Sequence, residues 1–447
     1  MSKRRQELLA VAADLFTPAT GIGVSFSVHF IGDVYLSEIL LLLALPAMLY
    51  LRGRRALRSS LKTLYFFMGL WLLGQVISDA FNHTPIRDSM RGAGLILFFG
   101  LSVLAMSILI GHNEKRKMLF FVGLMLGTLA SVRFQPTQAT VDYPWKFGYA
   151  WGITLLVLLI GSHFYAKRQF LISGLLLVAI SAVNLMFNYR GPVLEILVTL
   201  ALVYPIIPDQ IAGLRLLPQS NLPRLVVLAG LSVIAAATSQ AAVRFVTQAG
   251  YISGEAQAKN ESQEKSGNLL LGGRPEFAVG FQAALDHPIV GHGSWAKDYK
   301  YFEMLNDQLV ENGTIEYDKD FDLGADGLIP GHSHIITAWV WSGIAGLIFW
   351  AYLACFVFAG VTRFAILRPS FVPIYVWLLI AMLWDIFFSP FAAGRRTLEA
   401  VLIIIVADLT NERVAGGKTA WRRMGAAVRR PALAMPITDG PISDGPH

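Results

Sequence analysis

Two histidines, His332 and His334, open an otherwise apolar stretch, GHSHIITAWVWSGIAGLIFW, at residues 331–350. On a helix this spacing turns them about 200° apart, whereas an extended segment would put both on one side. With His287 and His292 upstream a zinc site is conceivable, but no defined ligand spacing or carboxylate motif accompanies them, so no metal is expected. The pair is then either interfacial or able to exchange protons near neutral pH. The second set of chemically able residues is basic. Arg190, Arg274, Arg395 and Arg396, with Arg87, Arg91, Arg133 and Lys146, fall in loops that the topology below assigns to the outside. Outward arginine opposes the usual charge bias of membrane proteins, and its planar fork suits a bidentate grip on phosphate. Arg190, in LMFNYRGPVLEILVTLAL, stands where one apolar run ends and the next begins. The competing reading is an arginine that snorkels to the interface. It is preferred for Arg87, Arg91, Arg133 and Lys146, and is evenly balanced for Arg395 and Arg396. Two acids, Glu195 and Asp385, lie inside apolar runs. Each could pair with an arginine, orient a substrate or relay protons, and a structural role is the preferred expectation for both.

These residues need a scaffold, and composition says which kind. The chain of 447 residues is 55% hydrophobic and 15% charged, with a net charge of +7 and a mean hydropathy of +0.54. That balance excludes an ordinary soluble enzyme and points to an all-α polytopic membrane protein. Runs of about 20 apolar residues are needed per crossing. About twelve are expected, near 8–27, 35–51, 63–81, 92–110, 118–132, 147–162, 170–187, 191–206, 225–243, 333–360, 371–389 and 397–410. The single cysteine, Cys355, excludes internal disulfides and thiolate metal sites. With both termini cytoplasmic, the inner segments hold 23 of the 37 Lys and Arg, as the positive-inside rule requires. The expected organisation is a nine-span bundle over 1–243, a periplasmic loop over 244–332, three spans over 333–410 and a basic, disordered cytoplasmic tail over 411–447. The loop carries 14 acidic and 7 basic residues, so it is no anchor for acidic lipid. Helical pieces are expected within it at 275–286 and 296–310. No nucleotide-binding or zinc-protease motif and no internal repeat is present.

Three stretches carry a resemblance. His332-Ser333, nine residues, then Gly343-Ile-Ala-Gly346 resembles the His-[Asn/Ser/Gln]-x9-Gly-x-x-Gly signature of the O-antigen ligase-related family. NYRGPVLEILVTLAL is similar to that family's Ser-Arg-Gly span start, with Tyr189 in place of serine. GGRPEFAVGFQAALDHPIVGHGSW is similar to its loop segment, a Gly-Arg pair leading to His-Pro-x-x-Gly-x-Gly. Residues 175–360 carry the likeness in detail, and 1–170 carry no matching motif. The resemblance implies a GT-C-like fold and a metal-independent glycosyltransferase of the bacterial inner membrane. Its donor would be a glycan on undecaprenyl diphosphate and its acceptor lipid A-core (an O-antigen ligase) or another lipid-linked glycan (an O-antigen or exopolysaccharide polymerase). It selects His332 over His334 as the base and gives Arg190 and Arg274 the diphosphate. His334, Arg395 and Arg396 are possible accessories, and no cofactor or nucleic acid is implied. Gly343 and Gly346, with Ser342, are expected to let the tenth span pack closely on a neighbour. Trp339 and Trp341 read as packing or interface residues.

Two other classes compete. A lipid-linked glycan transporter or flippase would use Glu195 and Asp385, but transporters commonly show related halves and none is visible here. A scaffolding subunit of a polysaccharide assembly complex would tolerate substitution of His332 and Arg274.

Overall fold

The computed structural model describes residues 3–30, 32–52, 59–187, 189–204, 230, 275–311, 327–367 and 371–415. Among them the chain is all-α apart from one small hairpin. The helices are α1 (Lys3–Gly23), α2 (Leu36–Arg52), α3 (Lys62–Phe81), α4 (Ile86–Leu109), α5 (Glu114–Phe134), α6 (Gln138–Asp142), α7 (Ala150–Ala166) and α8 (Phe170–Met186). They continue with α9 (Arg190–Val203), α10 (Pro275–Asp286), α11 (Tyr299–Glu311), α12 (His334–Ser342), α13 (Ile344–Leu367), α14 (Val372–Phe388) and α15 (Arg396–Ala415). Strands β1 (Ser27–His29) and β2 (Asp33–Tyr35) pair antiparallel between α1 and α2.

Helices stand at eleven of the twelve expected spans. The ninth, at 225–243, lies outside the described residues except for position 230, and Arg274 and the tail beyond 415 lie outside them altogether. Five helical stretches are long and apolar enough to cross a membrane, and three shorter ones, Leu36–Leu51, Phe170–Met186 and Val372–Phe388, are apolar. The protein is therefore a multi-pass membrane protein. The two helical pieces expected in the long loop are α10 and α11.

In lipid, packing and internal hydrogen bonding hold helices together, because the tails are as apolar as the side chains. Gly123 and Gly127, four apart on α5, meet α1 backbone to backbone: a Cβ on them would lie 2.2 Å from the Pro18 carbonyl oxygen and 2.5 Å from that of Ile22. At one end of the bundle Lys117 of α5 is buried between Asp408 of α15 (2.8 Å) and Glu114 (2.6 Å). In the interior Trp71, Phe99, Phe349, Trp350 and Phe391 pack on one another, mostly edge to face, with ring centroids 4.8–6.3 Å apart.

The tenth span departs from expectation. The run 333–360 is not one helix but two, α12 and α13, broken at Gly343, whose φ is +61°. Gly343 does not serve close packing of a continuous helix. A Cβ there would lie 1.9 Å from the Ile289 carbonyl oxygen, and that oxygen accepts from the Ile344 amide at 3.1 Å. The loop after α10 thus occupies the break. Gly346 lets the chain fold back, since its Cβ would sit 2.4 Å from the Ala338 carbonyl oxygen. As a result His334, at the start of α12, touches Trp350 in the second turn of α13 (centroids 4.8 Å).

Candidate active site

The strap Ile329–Ser333 brings the chain to α12. Pro330 packs against α10, where a Cβ on Gly280 would lie 2.8 Å from its carbonyl oxygen. A Cβ on Gly331 would lie 2.5 Å from Thr337 Oγ1. Ser333 caps α12: its hydroxyl accepts from the Ile336 amide (3.3 Å) and donates to the Ile386 carbonyl (3.0 Å) at the end of α14. His332, one residue earlier, is exposed.

His334 is fully buried. Its Nδ1 lies 2.5 Å from the Ser389 carbonyl oxygen, which can only accept, so Nδ1 carries a proton. Its Nε2 lies 2.9 Å from Glu399 Oε1 in the first turn of α15. Trp350 and Phe391 wall the ring. The two histidines singled out in the sequence therefore part company. One faces outward and the other is an internal fastening.

The arginines part in the same way. Arg395 contacts Asp385 of α14 and keeps 35% of its side chain exposed. Glu399, Tyr189 and Glu195 also lie within its electrostatic reach. Arg396 is buried against Glu38 of α2, with Nη2 donating to Oε2 at 2.7 Å and to the Asp33 carbonyl at 3.1 Å. It fastens α15 to α2 and lies outside the group around Arg395. Arg190 is half-buried at the first position of α9. A Cβ on the following residue, Gly191, would be 4.0 Å from both Glu195 Oε1 and Trp384 Nε1. The starts of α9, α12 and α15 and the end of α14 thus converge at one end of the bundle, bringing the Arg190 backbone, the His332 strap and Arg395 together. Glu195 and Asp385 join Glu399 there as buried acids.

The loop segment His287–Trp295 completes this end. It is stitched to the end of α3 and the break in the tenth span. Asp79 accepts from the Ser294 amide (2.6 Å) and hydroxyl (2.9 Å), and Gln75 Nε2 donates to the Ser294 hydroxyl (2.8 Å). Asn82 donates to the Gly291 carbonyl (3.1 Å), and the Ser78 hydroxyl donates to that of Trp341 (2.7 Å). Sequence reasoning missed these four partners. Their signal was present: Gln75, Ser78, Asp79 and Asn82 recur at helical spacing, a polar stripe on an apolar helix. Arg91 lies over Trp295 (4.4 Å), which packs on Trp341 (centroids 4.4 Å). Arg91 thus anchors the loop.

His292 Nε2 donates to the Ala283 carbonyl (2.9 Å), which ties the loop back to α10. Burial holds this imidazole below its ordinary pKa, and neighbouring His287 adds to the depression, against the Ala283 hydrogen bond. Asp286 accepts from Lys300 (2.7 Å) and Tyr301 (2.6 Å), joining α10 to α11. Those bonds, Lys300 foremost, hold its carboxyl well below the usual range. Among the described residues no group of three or more His, Cys, Asp or Glu side chains is placed to hold a metal ion.

No known protein family and no curated protein matches the sequence. The functional reading therefore rests on the chemistry of this end of the bundle and on the three motifs.

Proposed function

We propose that this protein is a glycosyltransferase of the bacterial inner membrane, of O-antigen ligase type. In this reading it moves a glycan from undecaprenyl diphosphate to an acceptor hydroxyl at the periplasmic face, on a GT-C-like bundle of about twelve spans. One observation carries the reading. An exposed histidine, held by its neighbours Ser333 and His334, stands at the bundle end where Arg395 and the start of α9 converge.

The acceptor oxygen attacks the anomeric carbon and the bond from that carbon to the diphosphate oxygen breaks. The bonding pair leaves with the diphosphate, and the hydroxyl proton passes to His332. Such a transfer needs a base near the hydroxyl and positive charge where the leaving group develops its own. Imidazole suits the first role near neutral pH. Arg190 and Arg274 take the second, joined by Arg395, whose guanidinium is already oriented by Asp385. Guanidinium groups here do the work that a divalent ion does in other transferases, so EDTA should leave the rate unchanged. Arg396, held by Glu38, is left out of the site.

A polymerase would use the same chemistry with a lipid-linked acceptor. A deletion strain separates the two: long chains stranded on the carrier mark a ligase, and single repeat units mark a polymerase. In either strain the wild-type gene should restore the normal glycan and the His332→Ala gene should not. Restoration by His332→Ala would refute the transferase reading. A second reading, transport of the lipid-linked glycan, draws support from the buried acids Glu195, Asp385 and Glu399 beside Arg395. It requires flux of substrate without any glycosyl transfer.

A further inference from the structure

Glu399 has no part in the transfer written above, yet it is the most deeply buried of the three acids at this end of the bundle. Its Oε1 faces His334 Nε2 at 2.9 Å, while its Oε2 is buried with no hydrogen-bond partner among the described residues. Because Nδ1 already donates to Ser389, the short Nε2–Oε1 contact requires a proton between the two groups. The dyad is then neutral overall, either as imidazolium with carboxylate or as imidazole with carboxylic acid. A buried pair of this sort is poor value as a stabiliser, since apolar residues of similar volume often do as well.

Its position suggests what it is for. His334 and Ser333 bolt the first turn of α12 to Ser389 and Ile386 on one side and to α15 on the other. On the other flank Pro330 and Gly331 are pressed against α10 and Thr337. The main chain of His332 is thus held from both directions, and its side chain is exposed.

We infer that Glu399 is a positioning residue, which through His334 fixes the segment that presents His332 to the substrate. This rests on the transferase reading, but it makes a structural claim that is measurable without transfer. Two variants of the purified full-length protein separate positioning from stability. Glu399→Gln keeps a hydrogen bond to His334 and should retain kcat within about threefold of wild type. The double variant His334→Phe/Glu399→Leu replaces the polar pair by apolar bulk and should stay folded. Its kcat should fall at least about tenfold with KM for the lipid-linked donor unchanged, the mark of an interaction that serves the transition state alone. In parallel, the rate at which diethyl pyrocarbonate modifies His332, followed by mass spectrometry, should rise in the double variant and stay unchanged in Glu399→Gln. A folded double variant with wild-type kcat, or with wild-type reactivity at His332, would overturn the inference. If no preparation transfers glycan while the reactivity of His332 changes as stated, the transferase reading fails and the positioning claim stands.

Discussion

Arg395 and Arg396 differ by one position and by about 100° around the turn that opens α15, and their side chains end in different places. One reaches Asp385 of α14 and the other is sealed against Glu38 of α2. His332 and His334 divide likewise, because Ser333 bolts the chain between them to α14. Residue type alone could not make these distinctions. The motif register already favours His332 over His334, but the two arginines look equivalent in the sequence, and only the packing of a neighbouring helix tells them apart. The clearest residue-scale prediction concerns Asp79, which no motif contains. It accepts two hydrogen bonds from Ser294 inside the molecule. Asp79→Ala should cost about 1–3 kcal/mol by leaving the Ser294 donors unmet. A lowered thermal midpoint together with faster proteolysis between α10 and α11 would show it. An unchanged midpoint would mean that the loop is held by other contacts.

At the scale of elements, the structure depends on the junction between the loop after α10 and the broken tenth span. Gly343 has a left-handed backbone and no room for a Cβ beside Ile289. Gly343→Ala should therefore lower the yield of folded protein, with a loss above about 2 kcal/mol from strain and overpacking combined. Gly69, inside α3, has nothing within 4 Å of its Cβ position. Gly69→Ala should be neutral or stabilising by up to about 1 kcal/mol. Thermal midpoints of the two variants in one detergent make the comparison. The same junction should respond to acid. His292 binds its proton less readily in the folded protein than in the unfolded chain. The stability linked to it is complete above the unfolded value of about 6.5 and is lost as pH falls below it, through the lower folded value. Hydrogen exchange at the amides of Gly291 and His292 should accelerate on going from pH 7.5 to about 5.5, after correction for intrinsic rates, and His292→Gln should abolish that dependence.

For the whole molecule, the apolar runs made the helices legible, and the amphipathic pattern behind Pro275 made α10 and α11 legible as well. The break at Gly343 was not. The run 333–360 is apolar throughout, and an uninterrupted apolar run carries no periodicity from which a turn can be read. Its two glycines fit close helix packing as well as they fit a bend. The convergence of the start of α9, the strap that carries His332 and Arg395 was only partly visible. The charge bias assigned them one side of the membrane, but which elements meet there depends on contacts 50 or more residues apart, such as Ser333 to Ile386. At this end of the bundle the strap Ile329–Ser333 presents the exposed His332, and the chemistry proposed for it can be tested directly. The direct measurement is transfer by the purified protein in lipid nanodiscs, supplied with an oligosaccharide on undecaprenyl diphosphate and an acceptor glycolipid, with product and released carrier followed by mass spectrometry. Wild-type protein should form the glycosylated acceptor and release undecaprenyl diphosphate in equal amounts. His332→Ala should remain folded and form neither, and Arg190→Ala should be severely slowed. Equal turnover by folded His332→Ala and wild-type protein would contradict the account.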